Sequence, residues 1–247
     1  MKVVIISAGD ASRLSQLTKE KPKGLLDING KTILDRQISL FRSHGIDDII
    51  IIRGTQSFGI KNVSYIRDEH CEQHDVLGSL MTAKNEIEGK VITSYSDILF
   101  DESILRQLLE FSGDIGIPID LDWEKSYGGR TQHPRSEADN VLIKNKKIIR
   151  IEKGIEKTTE DEIVGEFLGL MALSKKGSEI FVENYLKLLH THQGSFHRSA
   201  SLKKAYLTDM IQELIDLGYD VYPIIVSGEW CEIDTQQDLE RARKLFS

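Results

Sequence analysis

The chain predicts an α/β fold on a doubly wound, mostly parallel mixed sheet, and three observations predict it. Continuous β-branched runs, Val3-Val4-Ile5-Ile6 and Ile49-Ile50-Ile51-Ile52, suit strands buried on both faces, as parallel strands are. Strand and helix patterns alternate through the first half, which implies right-handed crossovers between parallel strands. A small-residue loop follows the first strand directly, as in Rossmann-like domains that hold a ligand at the carboxyl ends of their strands.

Taken in order, Val3 to Ile6 is a strand bounded by Ser7-Ala8-Gly9. Thr32 to Ser43 is a helix with Ile33, Leu34, Ile38 and Phe41 on one face, Thr32 placed to cap it and Gly45 just past its end. Asp48 to Arg53 and Val63 to Ile66 are strands and Ser79 to Ile87 is a helix. Val91 to Tyr95 is a fourth strand that runs directly into Asp97. Glu102 to Phe111 is a helix, and Asp114 to Ile119 a strand ended by Pro118. The second half changes character. Val141-Leu142-Ile143 and Ile148-Ile149-Arg150-Ile151 flank Lys144 to Lys147 as a hairpin. Gly165 to Leu173 is one apolar strand, Ser178 to Leu189 and Lys203 to Leu217 are helices, Val221 to Val226 is a late strand and Gln236 to Leu245 a closing helix. With no linker, repeat or low-complexity tract, residues 1–247 are expected to form a single domain.

The composition excludes several function classes. A net charge of −7 argues against wholesale binding to nucleic acid, which needs a basic surface to displace counterions, yet leaves room for a local anion site. No apolar run approaches the roughly 20 residues needed to span a bilayer, so no membrane association is expected. Met1 to Ile6 reads as a strand rather than a signal peptide. Cys71 and Cys231, far apart and without a CxxC, fit reduced thiols in a cytoplasmic protein. A homodimer is compatible with the sequence.

The chemistry lies in the loop Ser7-Ala8-Gly9-Asp10-Ala11-Ser12-Arg13-Leu14 and in Lys21-Pro22-Lys23-Gly24 after it. Small residues after a buried strand let backbone N–H groups approach a polyphosphate. Arg13 and Lys23 add fixed positive charge to offset what builds on a transferred phosphoryl group and on pyrophosphate. Neither GxGxxG nor GxxxxGK[ST] is present. Alone, the loop would suit an ordinary polar connection. Two acidic stretches change that: Tyr95-Ser96-Asp97-Ile98-Leu99, and Cys231-Glu232-Ile233-Asp234-Thr235 far downstream. Either Asp can instead cap the helix that follows. At the ends of two neighbouring strands, Asp97 and Asp234 together can hold Mg²⁺, which binds through one or two carboxylates plus substrate phosphates.

The loop, with Leu17-Thr18 and Pro22-Lys23, resembles the (L/S)AAGxGxRLxxxTxxxPK signature of nucleotidyltransferases that activate sugar phosphates and phosphocholine. It departs from it in having a single Ala at position 8 and Ala11 in place of the second Gly. Asp97 matches the metal-binding Asp of that family, where Gly-Asp is commoner than Ser-Asp. Trp230 to Thr235, with Asp238-Leu239, is similar to the E-I-D-(S/T)-x-x-D ending of cytidylyltransferases. The resemblance implies a sheet of the nucleotide-diphospho-sugar transferase type and a magnesium ion shared by Asp97 and Asp234. It also divides the domain into a nucleotide-binding half, 1–115, and an acceptor-binding half, 116–247.

Ile149-Arg150-Ile151-Glu152-Lys153 is similar to the E-K-P segment whose Lys contacts the acceptor phosphate, with Gly154 in place of Pro; a solvated Lys153 on an edge strand is the alternative. Glu166 would face the same pocket and hold an acceptor cation or hydroxyl, or stand as a peripheral carboxylate. Arg130 and His133, in the Gly-rich stretch from Tyr127 to Pro134, would bind an acceptor anion or hydroxyls unless that stretch is a surface loop. Gly78 and Ser79, in Val76 to Leu80, would lie near the base and join Ser7, Ala8, Gly9, Asp10, Ala11 and Ser12 as nucleotide contacts. His190, His192 and His197 match no zinc motif; His197 and Arg198 can reach the acceptor.

Tyr95 to Phe100, Gly165 to Leu170 and Trp230 to Thr235 look most like the CTP-dependent branch, and Asp120 to Ala138 like its phosphonate members. The expectation is Mg²⁺- and CTP-dependent transfer of CMP to a small phosphonate or phospho-alcohol, of the 2-aminoethylphosphonate, 2-hydroxyethylphosphonate or phosphocholine type, with release of pyrophosphate. The alternatives are a sugar-1-phosphate nucleotidyltransferase using UTP, dTTP or GTP, and a non-catalytic nucleotide-binding regulatory module.

Overall fold

A computed structural model describes residues 1–9, 14 and 22–247. Val3, Val4 and Ile5 are wholly buried in β1 (Lys2–Ser7), as a strand covered on both faces requires. A two-strand hairpin, β2 (Asp27–Ile28) and β3 (Lys31–Thr32), leads into α1 (Ile33–Ser43). The start of α1 is fixed by a reciprocal cap: the Asp35 N–H donates to Thr32 Oγ1 at 3.0 Å and the Thr32 N–H to Asp35 Oδ2 at 3.3 Å. Next come β4 (Ile49–Arg53), β5 (Ser64–Arg67), α2 (Val76–Leu80) and β6 (Val91–Tyr95). β6, β1, β4 and β5 lie side by side in that order, all parallel.

The helix expected over Ser79 to Ile87 begins earlier, at Val76, and unwinds into a 3₁₀ stretch from Met81 to Glu86 with Ala83 outside helical geometry. Its first turn is set by distant backbone, not by propensity. Asp75 N–H donates to the Lys203 carbonyl (3.1 Å) and Leu77 N–H to that of Ala205 (3.0 Å). Residues 203–205 accordingly form a 3₁₀ turn and an extended step, not the helix expected from Lys203.

After β6 the chain turns through Ser96 and Asp97 into β7 (Ile98–Phe100), α3 (Glu102–Glu110) and β8 (Ile115–Asp120). β8 runs through Pro118 instead of ending there. Its pairing on one edge passes from Gly116 opposite Ala172 to Ile119 opposite Phe167, so the missing N–H falls in the gap, while the Pro118 carbonyl still accepts from Leu168. The predicted hairpin is β9 (Asp139–Lys144) and β10 (Lys147–Lys153). Both turn residues, Asn145 and Lys146, have positive φ (52° and 62°), which matches the right-handed twist of the strands.

The run from Gly165 to Leu173 is two strands, β11 (Ile163–Phe167) and β12 (Leu170–Leu173), followed by α4 (Lys175–Thr191), α5 (Leu207–Asp216), β13 (Tyr222–Ile225), β14 (Trp230–Glu232) and α6 (Gln236–Leu245). The main sheet has the order β10-β9-β11-β8-β12-β6-β1-β4-β5, with β13 on β8. β8 pairs with both β11 and β12, so the sheet stays continuous across the chain break at Leu168-Gly169, with β11 going on to β9 and β12 to β6. β14 and β7 form a separate antiparallel pair. No helix among the described residues is long and apolar enough to cross a membrane.

Gly169 makes the break sterically feasible. Its φ is +79°, its carbonyl accepts from Tyr95 N–H at 3.1 Å, and an added Cβ would lie 2.3 Å from Ile98 Cδ1. Gly169→Ala is therefore expected to cost at least about 2 kcal/mol of stability, through strained backbone and an overpacked contact. Urea unfolding measures this, and a variant as stable as the parent would show that the break does not depend on glycine.

Candidate active site

Asp97 and Asp234 meet because β7 pairs with β14. The pair sets Glu232 opposite Ile98 and Cys231 opposite Leu99, and Ile233 N–H then donates to the Asp97 carbonyl at 3.0 Å. Asp97 is at the start of one strand and Asp234 just past the end of the other, which antiparallel pairing puts side by side. Neither is a helix cap: Asp101 caps α3 and Thr235 caps α6. The turn carrying Asp97 is held by Gln37, buried on α1, whose amide donates to the carbonyls of Tyr95 (2.8 Å) and Ile98 (2.7 Å) while accepting from Ser94 Oγ. The sequence carried a signal for this: Gln37 interrupts the apolar face formed by Ile33, Leu34, Ile38 and Phe41.

Lys23 closes the cluster. It opens a 3₁₀ turn whose Gly24 lies so close to α1 that a Cβ would sit 2.8 Å from Leu34 Cδ1. Its ammonium is 2.8 Å from Asp97 Oδ2 and also ion-pairs with Asp234 Oδ1. Burial works against that charge, but Asp97, Asp234 and Glu232 outweigh it and raise the Lys23 pKa. Glu232 is an acidic residue to which the motifs assign no role. Burial, then the charges of Asp234 and Asp97, push its pKa well up, against the pull of Lys23. Its spacing was the available signal, since positions 232 and 234 of an extended segment share a face.

Asp234 is positioned from behind. Asp238, buried at the start of α6, accepts from the backbone N–H of Asp234 (3.3 Å) and Thr235 (3.0 Å) and ion-pairs with Arg130 at 2.9 Å. Burial would raise the Asp238 pKa, but the nearby His133, the Arg130 charge and the Thr235 hydrogen bond hold it at about 2. Arg130 in turn lies over the Tyr127 ring, 4.5 Å from its centroid. His133 is buried too, its Nδ1 3.7 Å from Asp234 and 3.6 Å from Asp238 and its Nε2 3.9 Å from Glu232. His133, Glu232 and Asp234 each bring a ligand-type atom within 4.8 Å of the others.

Two cavities share Asp97 in their walls, and Lys23 lines the smaller of them. The smaller, about 120 Å³, reaches Ser7, Gly9 and Ser79. The larger, about 750 Å³, extends along the break at Leu168-Gly169 and is lined by His133, Asp139, Lys153, Glu166, Arg198 and Asp234 among others. Glu166 lies opposite Asp120 on one side and Asn140 on the other. It accepts a hydrogen bond from Tyr127 and its second oxygen is buried without a partner among the described residues. Burial raises the Glu166 pKa to about 7, against the pull of Tyr127 and Arg130. Burial likewise raises Asp139 to about 6. No motif singles out Asp139; only the register, which places it across from Lys153, brings it to the cavity. Lys153 stands at the rim, paired with Glu137 at 2.8 Å.

Ser7, Gly9, Lys23, Ser79, Asp97, His133, Lys153, Glu166 and Asp234 thus line the two cavities, and Ala8 is buried behind the loop. Gly78 lines neither cavity: a Cβ there would fall 2.8 Å from both the Lys203 carbonyl oxygen and His74 Cγ, so its smallness serves packing. Arg130 also lies outside both, its charge spent on Asp238. Asp10, Ala11, Ser12 and Arg13 lie outside the described residues.

The sheet is that of the nucleotide-diphospho-sugar transferase fold, and the comparisons with known proteins carry the class further. Residues 3–123 match the family model described as MobA-like NTP transferase domain. The CTP:phosphoglutamine cytidylyltransferase of Campylobacter jejuni is 27% identical over 253 residues, covering 97% of this chain and 98% of the relative. The bifunctional protein GlmU of Methanococcus vannielii is also 27% identical, over 100% of this chain, which spans only 55% of that relative's length. The inositol-1-phosphate CTP transferase from T. maritima superposes with a TM-score of 0.73 at 17% identity, covering 99% of this chain and 94% of that one. The chain is a nucleotidyltransferase, and its similarity to the MobA-like NTP transferase domain lies over residues 3–123.

The geometry separates two roles for Arg130. Arg130→Ala leaves Asp238 charged and buried without its partner, and is expected to cost about 3–5 kcal/mol of stability in chemical denaturation. An arginine serving only an acceptor anion would leave stability unchanged when removed.

Proposed function

We propose that the protein is a CTP-dependent cytidylyltransferase that transfers CMP to a small phosphonate or phospho-alcohol and releases pyrophosphate. The observation that carries this reading is the convergence of Lys23, Asp97 and Asp234 between a small cavity at the end of β1 and a large one at the Leu168-Gly169 break. Triphosphate and acceptor then approach the same point from the two cavities. An acceptor oxygen attacks the α-phosphorus, a new P–O bond forms, and the bond to the bridging oxygen breaks to release pyrophosphate. No general base is required, because a phosphate or phosphonate oxygen is already anionic at neutral pH. Lys23 offsets negative charge as it shifts toward the leaving group, and Lys153 and Arg198 offer charge to the acceptor phosphate.

The donor set fits magnesium. Asp97 Oδ1 is buried with no hydrogen-bond partner among the described residues, and Asp234 supplies a second hard oxygen beside it. Bound to Asp97 and Asp234, the ion would neutralise phosphate charge and orient the α-phosphate for in-line attack. Farther in, Glu166 and Asp139 suit an acceptor with a cationic or hydrogen-bond-donating tail, as a 2-aminoethylphosphonate-type or phosphocholine-type molecule has.

Asp97→Asn and Asp234→Asn are each expected to lower turnover about a hundredfold or more with the circular dichroism spectrum unchanged. Pyrophosphate release over a panel of nucleoside triphosphates, phosphonates, phospho-alcohols and sugar 1-phosphates measures this. Near-parental rates in both variants would remove the metal assignment, and turnover confined to sugar 1-phosphates would remove the acceptor class.

The raised Glu166 pKa gives a pH dependence. Above about 7 the carboxylate is charged and holds a cationic tail; as pH falls through that value it is protonated and the hold weakens. The KM for a cationic acceptor should therefore rise below pH 7, and Glu166→Gln should flatten that rise. The sign for stability is opposite. Because the folded-state pKa exceeds the unfolded one, the stability linked to Glu166 is full below the ordinary carboxylate range and is lost as pH rises toward 7.

A further inference from the structure

The smaller cavity holds a feature that can choose between pyrimidines. Asp68 is wholly buried beside it, and three groups donate to its carboxylate. His70 N–H reaches Oδ1 at 3.0 Å, Ser79 Oγ reaches Oδ2 at 2.8 Å, and His74 Nδ1 lies 3.0 Å from both oxygens. An ionised carboxylate only accepts hydrogen bonds, so the proton of a neutral His74 ring must sit on Nδ1. Nε2 then carries a lone pair, and no hydrogen bond to it exists among the described residues.

The ring cannot readily swing out of this position. It packs on Gly78, where a Cβ would fall 2.8 Å from His74 Cγ, and the His74 carbonyl accepts from Lys204 Nζ at 3.5 Å. His74 lines the small cavity together with Ser7, Gly9, Val76 and Ser79, next to Lys23 and Asp97. A nucleotide whose α-phosphate lies at Lys23 and Asp97 has two directions for its base. The larger cavity, lined by Glu166 and Asp139, suits the acceptor; the smaller suits one planar ring.

We infer that His74, oriented by Asp68, selects cytosine over uracil and thymine by accepting a hydrogen bond at Nε2 from the 4-amino group of the base. Uracil and thymine present a carbonyl oxygen at that position, so two lone pairs would face each other with both groups desolvated. The step is one of the uncharged ring, since a doubly protonated imidazole has no lone pair at Nε2, and within that form it depends on which ring nitrogen bears the proton. The inference rests on the CTP reading and adds to it the residue that reads the base.

The test is the ratio of kcat/KM for CTP to that for UTP, measured with one acceptor in the parent, in His74→Gln and in Asp68→Asn. The amide introduced by Asp68→Asn keeps one oxygen, for the His70 N–H, and places its NH2 on the Ser79 side, where Ser79 Oγ accepts one N–H and the other can donate to His74 Nδ1. That moves the ring proton to Nε2 and makes this nitrogen a donor to O4 of uracil. The ratio is expected to fall at least about tenfold in both variants, mainly through a gain with UTP in Asp68→Asn. A residue that only packs would lower both rates together and leave the ratio alone. Because Asp68 is buried, each variant is checked by thermal melting. If Asp68→Asn prevents folding, His74→Gln and the ¹⁵N signal of Nε2 in the parent carry the test: CTP should shift that signal and UTP should not. A parent that uses UTP as well as CTP overturns both this inference and the CTP reading. A CTP-selective parent whose ratio persists within about twofold in the folded variants, or whose Nε2 signal ignores CTP, overturns the role of His74 alone.

Discussion

The Lys23 ammonium bridges Asp97 and Asp234, side chains brought from distant parts of the chain, with Glu232 as a third carboxylate nearby. Burying such groups is costly unless each is paired and held in place. Much of the surrounding structure serves that end. Gln37 ties down the turn that carries Asp97, and Asp238 accepts from the backbone around Asp234. Arg130 neutralises Asp238 in turn. Each of these supports is buried, so the cluster is held by groups that solvent cannot compete for. The three-residue strands β7 and β14 bury little on their own. Their pairing matters because it sets two carboxylates on one ammonium.

The second constraint is the break at Leu168-Gly169. With Gly169 in the left-handed region, the chain passes from β11 to β12 along the same neighbour β8, β11 continuing to β9 and β12 to β6, and Phe167, Leu168 and Gly169 at the break line the large cavity. Tyr95 marks the joint. Its N–H is bonded to Gly169, its ring packs edge-on to Phe167 at 6.3 Å, and its side chain lines both cavities.

The parallel core was legible because its signal is local. Four consecutive isoleucines bounded by charged residues suit a strand buried on both faces, and Thr32 with Asp35 three residues on is a helix start. What was not legible depends on contacts between distant segments. β7 and β14 are too short to show a period and exist only as a pair. The start of α2 is fixed by the carbonyls of Lys203 and Ala205, which no local pattern near Val76 reveals. The same holds in the site. Asp97 and Asp234 could be singled out by type and spacing, whereas the use of Arg130 as a brace for Asp238, and the arrival of Asp139 beside the cavity, follow from pairings that only the folded chain displays.

An acidic chain that handles a triphosphate poses an electrostatic problem, and the charges around Lys23 indicate how it is met. Among the described residues the cluster sets one ammonium against Asp97 and Asp234, and Glu232, whose pKa is pushed well up, adds less than a full charge; under the proposed function this surplus of carboxylate lies where the α-phosphate would sit. Such a site repels a bare triphosphate and accepts one that brings a cation with it. Under the proposed function these carboxylates would make nucleotide binding depend on an accompanying metal ion. Toward the acceptor, Glu166 and Asp139 have pKa values raised to about 7 and about 6, so near neutrality they carry less than full charge until a cationic or donor group arrives to stabilise it. Under the proposed function, burial thus tunes charge on both sides of the site: Glu232 near the nucleotide, and Glu166 more than Asp139 near the acceptor, ionise less readily than exposed carboxylates. How readily each ionises follows from burial and from which partners each carboxylate keeps.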